Sequence, residues 1–309
     1  MGEKALRTRL DVALIRLHPD LSRRKARATI EKGQVSVDGR VVVEAGHTVG
    51  ETSDIAWNPH KKARPRARLS LPLLYADAHL VIVDKPAGLL TVPSAPGETG
   101  EDTALARVEE YARHLSPRRA FVGVVHRIDR GTSGAVAFAL SQEARRALRA
   151  LFKEHRIERR YAALVEGDPQ GERGVVDLPI RDAYAGGKRG VAREGEPSRP
   201  ALTRWTVIER FHGAALLDVE LGTGRQHQIR VHLAHIGHPV LGDARYAPDK
   251  PRRPPLPLRR PMLHARLLAF VHPLTAAAVR VESPLPDDFR RAIVTLRARR
   301  HGPTRPVGR

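Results

Sequence analysis

The chain contains no cysteine in its 309 residues, which excludes disulfides and thiolate metal sites. Aromatic residues are scarce, at 4%. No window approaches the 18-residue apolar run of a membrane-spanning helix, and the N-terminus lacks the apolar stretch of a secretory signal. A soluble, cytoplasmic protein with no membrane partner is the expectation. Acidic residues are also in short supply, 34 Asp and Glu against 54 Lys and Arg, giving a formal charge of +20. That imbalance points to a polyanionic partner, because Lys and Arg gain affinity by releasing phosphate counterions. No GxxxxGK[ST] or GxGxxG segment occurs, which disfavours nucleotide hydrolysis and dinucleotide redox chemistry. Hydrophobic residues nevertheless make up 41% of the chain, enough for a packed core.

Residues 8–55 read as a self-contained piece. "TRLDVALIRLHPD" places Leu10, Leu14 and Leu17 on one helical face. "LSRRKARATIEKG" reads as a second helix, with Ser22 as N-cap and Gly33 as stop. Its apolar side carries Leu21, Ala26 and Ile30, and the other side carries Arg23, Arg24, Lys25 and Arg27. "QVSVDGRVVV" follows as a hairpin turned at Asp38-Gly39. A basic helix leading into a small hairpin favours an RNA-binding platform over a merely solvated face.

Four regions are expected: an RNA-binding domain at 1–58, a basic linker at 59–72, a larger α+β domain at 73–295, and a basic, disordered tail at 296–309. In the third region, apolar strands begin at "LVIV" (80–83) and "GAVAFAL" (134–140). "SQEARRALRALFKEHR" is amphipathic, with Ala144, Leu148, Leu151 and Phe152 toward the core. "RRYAALVEG" and "MLHARLLAFVHP" are further strands, and "TRWTVIERF" with "AALLDVELG" form an antiparallel pair around His212-Gly213. Many strands at short intervals, with few helices between them, argue for an α+β fold on a mostly antiparallel mixed sheet with flanking helices. "YAGGKRG" (184–190) reads as a mobile hairpin tip, and the prolines between 248 and 261 mark an irregular loop.

Two stretches carry candidate chemistry. In "VVHRIDRGTSGAVAFAL" (124–140), Asp129 lies between Arg127 and Arg130 at a turn of small residues. A carboxylate among guanidiniums favours its ionised form and can serve as nucleophile or base, although a structural Asp capping the turn fits the local pattern equally. In "GTGRQHQIRVHLAHIGHP" (222–239), Arg225 and Arg230 are fixed cations suited to carboxylate or phosphate. His232 and His235 share a helical face and raise a zinc alternative, which the lack of cysteine or an acid cluster weighs against. The bland alternative is a helix buried on Ile229, Leu233 and Ile236. Tyr161 offers either core packing or an aromatic face for a base.

Taken in order, these segments resemble the RluA family of pseudouridine synthases over nearly the whole chain. "HRIDRGTSG" is similar to that family's central motif, and "LLYADAHLVIVDKPAGLL", "RRYAALVEG", "GTGRQHQIRVHLAHIGHPVLGD" and "MLHARLLAFVHP" to its other motifs. Residues "RLD", "LSRRKA" and "IEKGQVSVDGR" resemble an S-four-type RNA-binding domain. The resemblance implies conversion of uridine to pseudouridine, most naturally in large-subunit ribosomal RNA, with no cofactor and no metal. It implies that Asp129 is the catalytic carboxylate, that Arg225 pairs with it, and that Tyr161 stacks on the target base. Arg127 would fill the space left by an extruded base, and Leu263 would wall the pocket. Lys85 and His126 are placed with the substrate-binding residues, and Arg23, Arg24, Lys25 and Arg27 with RNA binding. A monomer is expected. A non-catalytic RNA-binding or assembly protein on the same fold is the alternative reading.

Overall fold

Local signals shape the N-terminal elements. The computed structural model describes residues 8–42, 45–59, 69–95, 100–116, 120–181, 188–247 and 256–300. They form two compact units, Met1–Arg68 with Tyr111–Arg119, and Leu69–Glu110 with Ala120–Arg309. In the first, strand β1 (Thr8–Arg9) leads into helix α1 (Leu10–Leu17) and helix α2 (Arg23–Glu31). The Ser22 hydroxyl accepts from Lys25 N–H at 3.2 Å, so it caps α2 as its sequence suggests. Strands β2 (Val35–Val37) and β3 (Arg40–Val42) pair through a turn whose Asp38 and Gly39 have φ of 49° and 74°. Strand β4 (Thr48–Val49) pairs with β1, and β5 (Ile55–Trp57) with β2. Leu10, Leu14, Ala26, Ile30 and Val35 form the core. Leu17 departs from expectation: it ends its helix and is 55% exposed.

The second unit is built on a ten-stranded sheet. Its elements run β6 (Leu73–Ala76), β7 (Leu80–Lys85), α3 (Ala104–Leu115, whose residues from Tyr111 on fall in the first unit), β8 (Gly123–Val124), β9 (Ser133–Ala139), α4 (Gln142–Lys153) and β10 (Glu158–Glu166). They continue with β11 (Arg173–Asp177), β12 (Ile180–Arg181), β13 (Ser198–Arg199), β14 (Leu202–Phe211), β15 (Ala214–Leu221) and α5 (Gln228–His235). The chain closes with β16 (Leu263–Val271), β17 (Ala278–Glu282) and α6 (Asp287–Arg300). The strand order is β11-β14-β15-β10-β16-β9-β7-β6, with β17 on β16 and β8 on β9, while β12 and β13 pair apart. Pairing is antiparallel except at β9 and β16, where His264 meets Ser133 and Ala265 meets Gly134 in parallel. Gly134 is required at that seam. Its φ is +117°, and a Cβ there would stand 2.2 Å from the Ala265 carbonyl oxygen.

Alternation along the strands buries both faces of the sheet. Val81, Val83, Tyr161, Ala163 and Val165 pack with Ile229 and Leu233 of α5. Leu80, Ile82, Ala135 and Ala137 pack against Ala144, Leu148 and Leu151 of α4, and Ala162 and Leu164 against Phe289 and Ile293 of α6. Each such large apolar side chain contributes about 1.5–3 kcal/mol by leaving water.

Two expected boundaries move. Leu71, assigned to the linker, is buried in the core of the second unit. The tail expected from 296 begins as helix: α6 runs to Arg300, and Leu296 is buried because it continues the apolar face of Phe289 and Ile293. Residues 60–68, 184–187, 248–255 and 301–309, which include parts of the linker, the glycine-rich tip, the proline-rich loop and the tail, lie outside the described residues.

Candidate active site

The loop between β8 and β9 carries Asp129, and backbone contacts fix it. Thr91 Oγ1 donates to Ile128 O at 2.8 Å, Arg130 Nε donates to Gly88 O at 2.9 Å, and Gly88 N–H donates to Arg130 O at 2.7 Å. Lys85 supports the same loop from below. It is fully buried and donates to the carbonyls of Pro86 at 3.0 Å, Leu89 at 2.7 Å and Arg130 at 3.4 Å. Burial pushes its pKa down to about 7, against the attraction of Asp129. Lys85 was expected to touch substrate. It does not line the cavity described next, because its ammonium is consumed by the turn it stabilises.

A cavity of about 550 Å³ opens over this loop. Asp129, Tyr161, Arg225, Arg127, His126 and Leu263 all line it, so the fold gathers six residues singled out in the sequence. Tyr161 projects from β10 and is 8% exposed, and Leu263, at the start of β16, is 4% exposed. Burial, helped by Asp129 and opposed by Arg159, raises the Tyr161 pKa and keeps the phenol neutral. Arg127 is exposed at the cavity and makes no ion pair among the described residues. His126 lies stacked on Phe152, ring centroids 4.5 Å apart, and its Nε2 accepts from Ala137 N–H at 2.9 Å. Burial, with Arg159 nearby, pushes its pKa down to about 3, so it is a neutral wall.

The cation on Asp129 is neither of its sequence neighbours, and it is not Arg225. Arg230, in the first turn of α5, donates from Nη1 to Asp129 Oδ2 at 3.1 Å. Its Nε and Nη2 grip both oxygens of Asp243 at 2.6 and 2.8 Å, and its Cζ lies 5.0 Å from the Tyr246 ring centroid. Burial opposes the Arg230 charge, but Asp243 and Asp129 outweigh it and hold the guanidinium well above its usual range. Arg225 precedes the helix instead. Its N–H donates to Gln228 Oε1 at 2.9 Å, and its Nε donates to Pro200 O at 2.9 Å, which turns the side chain away from Asp129.

Sequence reasoning named Arg230 without giving it this partner, and passed over Asp243 and Arg159. His227 caps α5 with φ 58°, bonds the Tyr246 hydroxyl through Nδ1 at 2.8 Å, and brings Nε2 within 3.8 Å of Asp129. The zinc alternative fails on geometry. Both His232 ring nitrogens are engaged, with Thr203 Oγ1 and Leu178 O, each at 2.9 Å. No group of three potential metal ligands occurs among the described residues. No described helix is long and apolar enough to cross a membrane.

In the first unit Asp11 is a fully buried carboxylate. Arg9 donates to it at 3.0 and 3.1 Å, Arg27 at 2.9 Å, and Arg23 approaches to 4.0 Å. The Arg9 hydrogen bond chiefly, then Arg27, hold its pKa down to about 2 against burial. Arg24 and Lys25 lie exposed on the same helix.

Comparison with known proteins agrees with this architecture. Residues 79–235 match the family described as RNA pseudouridylate synthase, and residues 8–55 match the S4 domain. An RNA pseudouridine synthase of Mycobacterium bovis, itself uncharacterized, is 38% identical over 94% of both chains. A ribosomal large subunit pseudouridine synthase D of Nitrosomonas europaea is 36% identical, covering 94% of this chain and 84% of that one. Among solved structures, human RNA pseudouridylate synthase domain containing 1 superposes with a TM-score of 0.56 at 25% identity, covering 74% of this chain and 96% of the other. With the matched segment spanning the Asp129 loop, Tyr161 and the Arg230 helix, the chain belongs to the RNA pseudouridylate synthase family and carries an S4 domain ahead of its catalytic unit.

Proposed function

We propose that the protein isomerises uridines of large-subunit ribosomal RNA to pseudouridine, with Asp129 as the catalytic carboxylate. The carrying observation is that carboxylate's setting. It faces the cavity of about 550 Å³, held on one oxygen by Arg230, with Tyr161 and Leu263 as walls. The reaction breaks the bond from ribose C1′ to uracil N1 and forms one from C1′ to C5. N1 gains a proton and C5 loses one, so substrate and product are isomers and no co-reactant enters the balance.

A uridine within RNA structure must leave its stack first, at a cost of a few kcal/mol. Stacking on Tyr161, worth about 1–3 kcal/mol, and insertion of Arg127 into the vacated position offset that cost. Arg230 orients Asp129 through Oδ2, leaving Oδ1 for the reacting nucleotide. Arg225, on the cavity wall, meets RNA rather than Asp129. Arg23, Arg24, Lys25 and Arg27 supply phosphate contacts that position the RNA. The large-subunit assignment follows the names of relatives such as the Nitrosomonas europaea protein. Mapping pseudouridines in ribosomal RNA from cells with and without the gene tests it. Loss of defined large-subunit sites is the expected result, and an unchanged map overturns the assignment.

A further inference from the structure

Arg159 is a buried guanidinium with no counter-charge among the described residues. It stands two residues before Tyr161 on β10, and both side chains face the catalytic cavity. The residue is 7% exposed. Its Nη2 donates to Leu221 O at 3.3 Å, while its buried Nε has no hydrogen-bond partner. Cζ lies 5.8 Å from the centre of the Phe152 ring. Among the described residues no carboxylate pairs with it. Arg230, buried in the same cavity, is held by two. Burial accordingly depresses the Arg159 pKa, the opposite of what happens at Arg230.

Space is reserved for this head group. A Cβ on Gly224 would lie 2.7 Å from Arg159 Nη1. An apolar residue could pack on Phe152 without the penalty of an unpaired buried charge. A cation here makes physical sense when an anion enters with the substrate. The neutral carbonyls of uracil would not compensate a full charge. A phosphodiester oxygen would, and a guanidinium N–H that has no protein partner can donate to it. The other cavity cations, Arg127, Arg225 and Lys153, are less buried and can meet phosphates along the approach. Among the described cavity cations without a carboxylate partner, Arg159 is the buried one, two residues from Tyr161.

Building on the proposed uridine chemistry, we propose that Arg159 binds a backbone phosphate of the target nucleotide itself, and that Gly224 keeps the room it needs. The test uses the full chain and a large-subunit ribosomal RNA transcript, comparing wild type with Arg159→Gln, Arg159→Lys and Gly224→Ala. For Arg159→Gln, KM should rise about 10-fold or more, as for loss of a charge-assisted hydrogen bond, with a much smaller change in kcat. The slope of log(kcat/KM) against log salt should shrink by about 0.7–0.9, one phosphate contact. Arg159→Lys should keep the wild-type slope. Gly224→Ala should show part of the KM rise with its fold intact. Thermal stability of Arg159→Gln should hold or increase, since an unpaired buried charge is gone. An unchanged KM and slope, or a raised KM with an unchanged slope, overturns the phosphate contact. So does a melting temperature that falls while KM stays put, the mark of a structural arginine. If wild type makes no pseudouridine in the transcript, the proposed function falls, and this proposal with it.

Discussion

Two arginine–carboxylate clusters, one in each unit, are built to opposite plans. In the catalytic unit one arginine serves two carboxylates. Asp243 takes two of the Arg230 donors, and Asp129 receives the third at 3.1 Å. In the N-terminal unit one carboxylate serves several arginines. Asp11 is fully buried, while the side chains of Arg9, Arg23 and Arg27 are 50%, 65% and 46% exposed. The first plan leaves an anionic oxygen uncommitted at the cavity, and the second leaves guanidinium N–H groups uncommitted at the surface. An under-satisfied carboxylate suits chemistry on a nucleoside, and under-satisfied arginines suit phosphates. Charge counting alone would not separate the two, since both are arginine-rich.

The strongest way to break this contrast is Asp129→Asn. Size is kept and the anionic oxygen is lost. Pseudouridine formation should fall by about 10²–10⁴-fold or more, with circular dichroism and RNA affinity unchanged. Appreciable turnover by a clean preparation would remove Asp129 from its role.

Next comes the identity of the cation. Lysine cannot reproduce a planar fork shared between Asp243 and Asp129. Arg230→Lys should therefore lower kcat by about 10²-fold through misplacement of Asp129. Arg225→Lys, at a side chain bonded to the Pro200 carbonyl, should change kcat little and act on KM. Equal kcat losses in the two variants would show that both arginines reach Asp129 in the working complex.

Smaller effects belong to the N-terminal cluster. Asp11→Asn should destabilise the protein by about 1–3 kcal/mol, less than a fully buried pair, because the arginines it releases can turn to water. RNA affinity should drop with kcat maintained. Its pH signature has a definite sign. The folded pKa, held down to about 2, lies below the ordinary value of 3.8. The contribution is therefore complete above about 3.8 and is lost as pH falls toward 2. Urea unfolding across that window should show wild type converging on Asp11→Asn, and parallel curves would deny Asp11 its ionised partnership.

The smallest change is expected for Arg24→Ala with Lys25→Ala, exposed residues outside the Asp11 cluster. Each lost phosphate contact should reduce the slope of log affinity against log salt by about 0.7–0.9, with saturated turnover unaffected. A wild-type slope would take α2 out of the RNA interface.

What could be read in advance followed the range of the forces involved. The Ser22 cap, the Asp38-Gly39 turn and the amphipathic face of α4 depend on residues a few positions apart, and all were legible. The sheet class was legible from strand spacing, and the meeting of Tyr161 and Leu263 at one cavity from their motifs. Choosing between Arg225 and Arg230 was not possible on spacing. They lie on the same short segment, and the outcome turns on Gln228 anchoring the loop to Leu202 and Thr203 while the first turn of α5 swings Arg230 inward. The role of Lys85 was hidden for a related reason, since its partners are the carbonyls of Pro86, Leu89 and Arg130, which gather around its ammonium only once the chain folds. Arg159 gave no signal, because a missing partner is visible only in three dimensions.

Synthesis order gives the parallel seam a meaning in time. Asp129 and Arg230 are 101 residues apart, and the Ser133–His264 contact at the seam spans 131. A ribosome adding roughly 5–20 residues per second leaves many seconds between them. Throughout that interval β9 has its partner β7 but lacks β16, so an apolar strand edge stands open to mispairing. The Asp129 carboxylate also waits without its guanidinium. If α2 and Asp129 act as proposed, the nascent chain presents its basic N-terminal helix to RNA well before it can alter a base, and chemistry waits for arrival of the last third of the protein.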